Sequence, residues 1–293
     1  MNSAIKASFS IVTVVYNDVS HIRETMDSVI GQSYKEIEYI LIDGDSNDGT
    51  KEAIQNYLQT HTQITHQESG DEKIYIEATH LHHPNLTFKF LSERDKGIYD
   101  AMNKGITLAT KEWINFMNCG DQFCNNVVLE KISKQSITQV DLIYGDTIVF
   151  FKKQNKYIYY HSSQPDKLYR FFSGFNHQSF FIKTAIYKKF PYDTSYQLTA
   201  DYDLIYRLFV NQYRFKHIPE PIAIFSTDGA SDINAFKNLK EAYQIALKYK
   251  QESFLKITCF YYFSIFKKMI KLYTPNCLFK PILYFFAKFK ELK

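Results

Sequence analysis

The chain has few cysteines and no long hydrophobic run, and each absence excludes a class of protein. Its four cysteines, at positions 119, 124, 259 and 277, form no Cys-x-x-Cys pair and are not densely spaced, so a disulfide-bonded secreted scaffold is not predicted. No apolar run reaches the roughly 18 residues that a membrane-spanning helix needs. The first residues also lack the cationic and apolar segments of a signal peptide. We therefore expect a protein of the cytoplasm.

Two glycine-rich phosphate-binding motifs are missing as well. The sequence contains neither GxGxxG nor GxxxxGK[ST], so these motifs give no support for a dinucleotide-binding fold or a P-loop. Hydrophobic residues make up 45% and charged residues 23% of the chain, which is the composition of a folded globular protein. With 293 residues, the chain can form one large domain and an appendage.

The first half of the sequence alternates between predicted strands and predicted helices. The strands are continuous apolar runs, typical of strands that are buried on both faces, and the helices have apolar residues at helical spacing. The predicted strands are 9–15, 37–42, 87–91 and 113–117, and the predicted helices are 17–32, 50–58 and one between the last two strands. This alternation predicts an α/β fold with a doubly wound, mostly parallel sheet. Residues 59–86 are polar and predict an insertion or an irregular connection.

The pattern changes after residue 127. Two strands at 141–151 and 156–160 are joined by a lysine-rich turn, and a short apolar segment, a helix and a proline-marked strand follow at 179–182, 201–211 and 218–225. The prolines mark the last of these as an edge or kinked strand. Helical spacing then persists from 239 to 273, where Thr274-Pro275 ends it. We place a domain boundary near residue 235, with a helical extension at 236–293.

Polar loops that carry carboxylates follow three of the predicted strands. They contain Asn17, Asp43 and Asp121, respectively. Parallel strands bring these loops to the carboxyl edge of the sheet, where open α/β sheets bind ligands. An acidic edge suits a divalent cation or recognition of a base and ribose better than it suits bare phosphates. Each loop alone is equally consistent with a turn or a helix start, where Asp, Ser and Asn are also common.

Asp201 is the strongest candidate for a general base. It lies at the start of a predicted helix, on the apolar face that Leu204 and Ile205 bury, whereas Asp203 faces Arg207 at i,i+4 and predicts an ion pair within the helix. A carboxylate held against the core is well placed to abstract a proton. The alternative is that Asp201 is a helix N-cap.

Three further polar side chains have weaker signals. Lys96 follows the third strand and would neutralise a diphosphate, or be a solvated surface lysine. Asn103 lies on the next helix, one turn after Tyr99. His177, followed by Gln178, would contact an acceptor or a phosphate, or be structural.

Five segments, in this order along the chain, resemble motifs of inverting family 2 glycosyltransferases. They are VVYN at 14–17, DGDSNDGT at 43–50, SERDKGIYDAMNKG at 92–105, FMNCGD at 116–121 and ADYDL at 200–204. The likeness covers residues 8–230 and is strongest to bacterial transferases of capsule, O-antigen and exopolysaccharide assembly. It implies a GT-A fold for residues 1–235, a nucleotide-diphosphate sugar donor and a divalent cation, usually Mn²⁺ or Mg²⁺.

Position by position, the resemblance implies that Asp43 contacts a uridine-type nucleoside, that Lys96 lies near the donor phosphates and that Asp121 binds the cation. Asp201 would deprotonate the acceptor hydroxyl. The donor-side residues are Val15, Asn17, Asp43, Asp45, Asp95, Lys96, Asn103, Asn118, Cys119 and Gly120, and the acceptor-side residues are His177 and Gln178. Many relatives carry Asp where this chain has Asn118 and Gly120, so Asp121 is the only carboxylate of its metal motif.

The sequence therefore predicts an enzyme. The main hypothesis is a hexosyl- or N-acetylhexosaminyltransferase that uses a UDP-sugar and acts on a glycan or lipid-linked hydroxyl in surface polysaccharide biosynthesis. The reduced metal motif keeps open a non-catalytic sugar-nucleotide-binding or assembly protein. A nucleotidyltransferase is less consistent, because its glycine- and arginine-rich N-terminal loop is absent.

The C-terminal segment is basic and aromatic. Nine lysines and two glutamates give the residues from Lys250 onward a formal charge of +7, whereas the preceding residues carry −3. An interfacial helix with lysines on anionic headgroups fits this composition, and predicts a peripheral protein on the inner face of the cell membrane. The alternative is packing on the domain or in a homodimer. The tail has no arginine and no nucleic-acid-binding motif, so nucleic acid is not a predicted partner.

Overall fold

One large sheet organises the protein. The computed structural model describes residues 7–135, 137, 139–171, 175–226 and 234–273, and within these ranges eleven strands form a single sheet. The strands are β1 (Phe9–Val15), β2 (Ile37–Asp43), β3 (Thr62–Ser69), β4 (Lys73–His80), β5 (His83–Glu93), β6 (Trp113–Phe116), β7 (Gln122–Phe123), β8 (Leu142–Phe151), β9 (Lys156–Tyr160), β10 (Phe180–Lys183) and β11 (Phe215–Ser226).

Helices connect and cover these strands. They are α1 (Val19–Ile30), α2 (Thr50–His61), α3 (Ile98–Leu108), α4 (Val128–Ser133), α5 (Thr184–Lys189), α6 (Ala200–Val210), α7 (Ala235–Tyr249) and α8 (Phe254–Tyr273). Short 3₁₀ turns cover Lys152–Gln154, Pro165–Arg170 and His177–Ser179.

The centre of the sheet is parallel, as the alternation of elements predicted. Strands β5, β2, β1 and β6 lie side by side in this order with parallel pairing. Every residue of β1 and β2 is buried, which explains their continuous apolar sequences, since such strands are covered on both faces. The order continues through β10, β8, β11 and β7, with β9 paired to β8. The predicted α/β fold is confirmed, with antiparallel strands added on both sides of the parallel centre.

Residues 59–86, for which the sequence predicts an insertion or an irregular connection, are not irregular. These residues form β3 and β4, an antiparallel pair that extends the sheet beyond β5. Most of β3 is exposed, so its strand residues are polar and the sequence has no apolar run to reveal them. An antiparallel strand with one face in solvent carries polar residues on that face, so its sequence lacks a continuous apolar run.

The proline-marked strand β11 is irregular at its prolines, and among the described residues it has a neighbour on both sides only near its end. It pairs with β8 along its length and with β7 at two residues, and its pairing with β8 shifts register on both sides of Pro221. These shifts are expected, because proline lacks the N–H that a regular ladder requires. The strand ends at Ser226, next to the loop that follows β6, as the hydrogen bond between Ser226 and Asp121 shows.

The C-terminal helical segment is two helices rather than one. The chain breaks between α7 and α8, where Lys250 has a left-handed backbone conformation (φ 49°). Helix α7 buries Leu239, Ala242 and Ile245 in the same core as α6. Among the described residues no helix is long and apolar enough to cross a membrane. The predicted helix stop at Thr274-Pro275 and the remaining tail lie outside the described residues.

Candidate active site

Asp43 ends β2 at the carboxyl edge of the parallel strands. Its Oδ2 accepts hydrogen bonds from Ser92 Oγ (2.6 Å) and from the backbone N–H of Ser46 (3.1 Å). Ser92 lies directly opposite Asp43 in the register of β2 and β5, so the sheet itself fixes this contact. Asp43 is fully buried, and no residue that the structure describes donates a hydrogen bond to its Oδ1. A buried acceptor oxygen without a donor is suited to a ligand N–H or O–H.

The neighbouring loops fold around this carboxylate. Val15 accepts a backbone hydrogen bond from Gly44 (2.9 Å), and Asn17, in a left-handed conformation, bonds the loop after β2 through Ser46 and Asn47. Asp95 lies against the same turn, because a Cβ on Gly44 would be 2.5 Å from Asp95 Oδ2. Any side chain at position 44 would therefore have to displace the Asp95 carboxylate.

Three other residues that were predicted to contact the donor do not belong to this group of contacts around Asp43. Asp45 forms an exposed ion pair with Lys51 (2.6 Å). The ammonium of Lys96 makes no hydrogen bond or ion pair with any residue that the structure describes. Asn103 donates to the carbonyl of Tyr192 and accepts from its N–H, both at 2.9 Å. The Asn103 amide is thus occupied by a contact within the fold, and we leave Asn103 out of the proposed site.

The turn after β6 presents Asp121. Gly120 has φ 92°, a conformation that favours glycine, and Thr25 of α1 bonds both the Gly120 N–H (3.0 Å) and the Asp121 carbonyl (2.9 Å). The Asp121 carboxylate accepts from Gln178 Nε2 (2.8 Å). Burial raises the pKa of Asp121 to about 6, against the opposing effects of the Gln178 hydrogen bond and the nearby charges of His177 and Lys152.

The oxygen atoms that this turn offers suit a divalent cation that also binds a ligand. Asn118 Oδ1 is buried and has no hydrogen-bond partner among the described residues, and it stands three residues before the Asp121 carboxylate. No group of three or more His, Cys, Asp or Glu side chains among the described residues is arranged to hold a metal. A cation here would therefore take its other oxygen ligands from a diphosphate and water, as Mg²⁺ commonly does.

Cys119 is not suited to act as a ligand of that cation. Its Sγ lies 3.6 Å from Asp18 Oδ2 and 3.7 Å from the Asp18 carbonyl, to which the thiol donates. Burial raises the pKa of the Cys119 thiol, and the Asp18 charge raises it further. The group therefore stays protonated, whereas a metal-bound cysteine is a thiolate.

Asp201 is in the first turn of α6, and the N-cap residue of this helix is Thr199. Asp201 accepts a hydrogen bond from the Tyr99 hydroxyl (3.3 Å), and its Oδ2 lies 3.4 Å from His177 Nδ1. Burial raises the pKa of Tyr99, so its hydroxyl keeps the proton that it donates. The predicted pair of Asp203 and Arg207 is present at 2.9 Å. The prediction that the apolar face of the helix buries Asp201 rather than Asp203 is wrong, because Asp203 is fully buried whereas the Asp201 side chain is 20% exposed.

A single 3₁₀ turn brings the two key carboxylates together. His177 contacts Asp201 through Nδ1 and lies 3.0 Å from Asn118 Nδ2 through Nε2, while the next residue, Gln178, donates to Asp121. Asp121 and Asp201 are therefore linked through two consecutive residues. No sequence pattern indicated this linkage or the contacts of Tyr99, Thr25 and Ser226, because they join distant parts of the chain.

The model of the glycosyl transferase family 2 matches residues 10–195 of the chain, which include the loops of Asp43 and Asp121. The chain belongs to this family. This assignment makes it a glycosyltransferase, as the five motifs predicted.

Curated relatives carry related descriptions. A glycosyltransferase of PGL/p-HBAD biosynthesis from Mycobacterium bovis is 26% identical over 218 residues, 72% of this chain and 74% of that protein. An uncharacterized glycosyltransferase of Mycobacterium tuberculosis is 30% identical over 208 residues, 68% of this chain and 67% of that protein.

Solved structures share the fold at low sequence identity. A mannosyltransferase from Pyrobaculum calidifontis, in complex with GDP-Man and Mn²⁺, has a TM-score of 0.61 at 14% identity, covering 85% of this chain and 65% of its own. TarS from S. aureus, residues 1–349 with UDP-GlcNAc, has a TM-score of 0.60 at 14% identity, covering 92% of this chain and 76% of its own. At this identity the likeness concerns the fold, which is the predicted GT-A type.

Proposed function

We propose that the protein transfers a sugar from a nucleotide-diphosphate sugar to an acceptor hydroxyl, with inversion at the anomeric carbon. The observation that carries the proposal is the linkage of Asp121 and Asp201 through His177 and Gln178. A carboxylate for the diphosphate side and a carboxylate for the acceptor side then flank one space. In-line displacement requires this arrangement, because the attacking and leaving oxygens lie on opposite sides of the anomeric carbon.

The donor's nucleoside binds at the carboxyl edge of β1, β2 and β5. Asp43 Oδ1, buried without a partner, accepts from the base, and Asp95 and Asn17 complete the pocket around the Asp43–Gly44 turn. Uracil and guanine both offer a ring N–H to such an acceptor, and we propose a UDP-sugar because the sequence motifs resemble those of transferases that bind a uridine-type nucleoside. The fold neighbours described with UDP-GlcNAc and GDP-Man support a donor of this general class.

Asp121 and Asn118 would hold a divalent cation, Mn²⁺ or Mg²⁺, together with the donor diphosphate. When bound, this cation would offset the negative charge that develops on the departing diphosphate. The neighbour that contains Mn²⁺ supports this assignment, as does the buried, unpartnered oxygen of Asn118.

Asp201 acts on the acceptor. Its carboxylate takes the proton of the acceptor hydroxyl while the hydroxyl oxygen bonds to the anomeric carbon and the bond from that carbon to the phosphate oxygen breaks. The Tyr99 hydroxyl and His177 hold the Asp201 carboxylate in position. His177 and Gln178 face the acceptor from the 3₁₀ turn to which they belong.

The acceptor is a glycan or a lipid-linked sugar of surface polysaccharide biosynthesis, and the transferred group is a hexosyl or N-acetylhexosaminyl unit. Helix α8 supports a position at the inner membrane surface. Its lysines are at positions 256, 267, 268 and 271, and the helix itself contains no acidic residue. Lys256 pairs with Glu252 just before the helix, at 2.6 Å. Large apolar side chains on α8 are exposed, with Leu255 72% and Tyr262 63% accessible, and a basic helix with an exposed apolar face suits an anionic lipid surface.

A panel of nucleotide sugars tests the proposed function. The full chain is incubated with Mn²⁺ and UDP-GlcNAc, UDP-glucose, UDP-galactose or GDP-mannose, and both the melting temperature and release of the nucleoside diphosphate are measured. We expect one donor to raise the melting temperature, because a ligand bound to the native state stabilises it, and to be turned over. Binding without any turnover would favour the non-catalytic alternative, and no binding by any donor would contradict the proposal.

A further inference from the structure

The hairpin of β8 and β9 reaches the start of α1. The 3₁₀ turn at its tip begins with Lys152, whose Nζ lies 3.3 Å from His21 Nε2. This contact joins residues 131 positions apart, so it is a product of the tertiary fold. No sequence motif pointed to Lys152.

An aspartate orients the histidine in this contact. His21 Nδ1 lies 2.6 Å from Asp18 Oδ1. The carboxylate can only accept, so in the neutral imidazole Nδ1 carries the hydrogen and Nε2 presents its lone pair. Lys152 therefore donates to Nε2, and Asp18, His21 and Lys152 form a chain of hydrogen bonds that holds the ammonium group in place.

This ammonium group is next to the proposed cation turn. Asp18, at the other end of this series of hydrogen bonds, accepts from the thiol of Cys119 in that turn. By contrast, Lys96 follows β5, which is three strands from β6, a backbone separation of roughly 14 Å at the usual strand spacing. Lys152 is therefore better placed than Lys96 to act near Asp121.

The charges of the site favour a positively charged side chain near the diphosphate. The edge that holds Asp43, Asp95 and Asp121 is acidic, and the turn after β6 offers a cation only one carboxylate. A diphosphate in contact with this turn therefore gains from a second positive charge, and a lysine ammonium is a common partner of phosphate oxygens.

We propose that Lys152 binds the diphosphate of the donor, and that Asp18 and His21 hold its ammonium group in position before the donor arrives. This rests on the proposed function, since it requires a diphosphate donor. On donor binding, the Lys152 hydrogen bond to His21 is exchanged for one to a phosphate oxygen. Lys152 is then a specificity residue for the nucleoside diphosphate over the nucleoside.

Binding measurements on the full chain test this assignment. Lys152→Met is compared with Lys156→Met, which removes an exposed lysine of the same hairpin, and with Lys152→Arg, which keeps the charge. Dissociation constants are measured by calorimetry with Mn²⁺ for UDP, GDP, uridine and guanosine. We expect Lys152→Met to weaken binding of the diphosphate about ten- to hundredfold, the range of a charge-assisted hydrogen bond, and to leave nucleoside binding unchanged. Lys156→Met should bind like the unaltered chain, and Lys152→Arg should recover most of the affinity.

Equal affinity of Lys152→Met and the unaltered chain for the diphosphate would overturn the assignment. An equal loss for nucleoside and diphosphate would also overturn it, because it would show a general disturbance of the pocket. If the unaltered chain bound neither diphosphate, the proposed function would fail together with this inference. Undiminished diphosphate binding by Lys152→Met, with turnover intact, would remove the inference alone.

Discussion

At the scale of single residues, Asp121 combines burial with a role that requires charge. Burial raises its pKa from 3.8 to about 6 in the cation-free protein. Because the folded-state pKa lies above the unfolded value, the ionised carboxyl destabilises the folded protein as the pH rises through about 6. Below about pH 4 the group is protonated in both states and the effect disappears.

We therefore predict that Asp121→Asn stabilises the cation-free protein at pH 7.5, by at most about 3 kcal/mol, and has little effect on stability near pH 4. Denaturant unfolding in the presence of EDTA at the two pH values measures this. The same substitution should weaken donor binding in Mn²⁺, since the amide is a poorer cation ligand. A variant that is less stable than the original chain at pH 7.5 would contradict the burial argument.

At the scale of elements, α7 positions the start of α6. Glu241 of α7 accepts from the Leu198 N–H and from the Thr199 hydroxyl, both at 3.0 Å, and Asp201 follows two residues later. One turn further along, Asp203 is fully buried and accepts from Lys248 and Tyr249 of α7. Helix α7 lies beyond the 10–195 range that the family model matches, so this support is contributed by a different part of the chain.

We predict that Glu241→Ala lowers kcat about ten- to hundredfold, because a small displacement of a catalytic group is enough for such a loss, while the KM for the donor changes little. Glu241→Gln keeps an acceptor oxygen and should retain most of the activity. Lys240→Ala, at an exposed position of the same helix, is the matched control. Steady-state kinetics with the best donor of the panel give both constants. A rise in donor KM with kcat intact would assign Glu241 to donor binding instead.

The elements that the sequence predicted are those with local signals. Strands β1 and β2 are apolar throughout because both faces are covered, and the Asp203–Arg207 pair follows from helical spacing. The β3–β4 pair was missed because its exposed face removes the apolar run. The turn of His177 and Gln178 could not be predicted in its linking role, because its contacts with Asn118 and Asp121 span 59 and 57 residues.

At the scale of the whole molecule, helix α8 is the surface that we assign to the membrane. The full chain should float with vesicles that contain phosphatidylglycerol and remain unbound with vesicles of phosphatidylcholine alone, since both apolar insertion and lysine charge contribute. The double substitution of Leu255 and Tyr262 by glutamate should abolish flotation without changing UDP binding. If the unaltered chain does not float with anionic vesicles, α8 has another role, such as a contact between two copies of the chain.

The central claim is that Asp121 and Asp201 serve one reaction from two sides of one cleft. The most direct test is Asp201→Asn, measured for transfer at saturating donor and, in parallel, for the dissociation constant of UDP with Mn²⁺. The account predicts that transfer falls by about a hundredfold or more, the usual contribution of a general base, while UDP binding stays the same. Transfer at the original rate would contradict it.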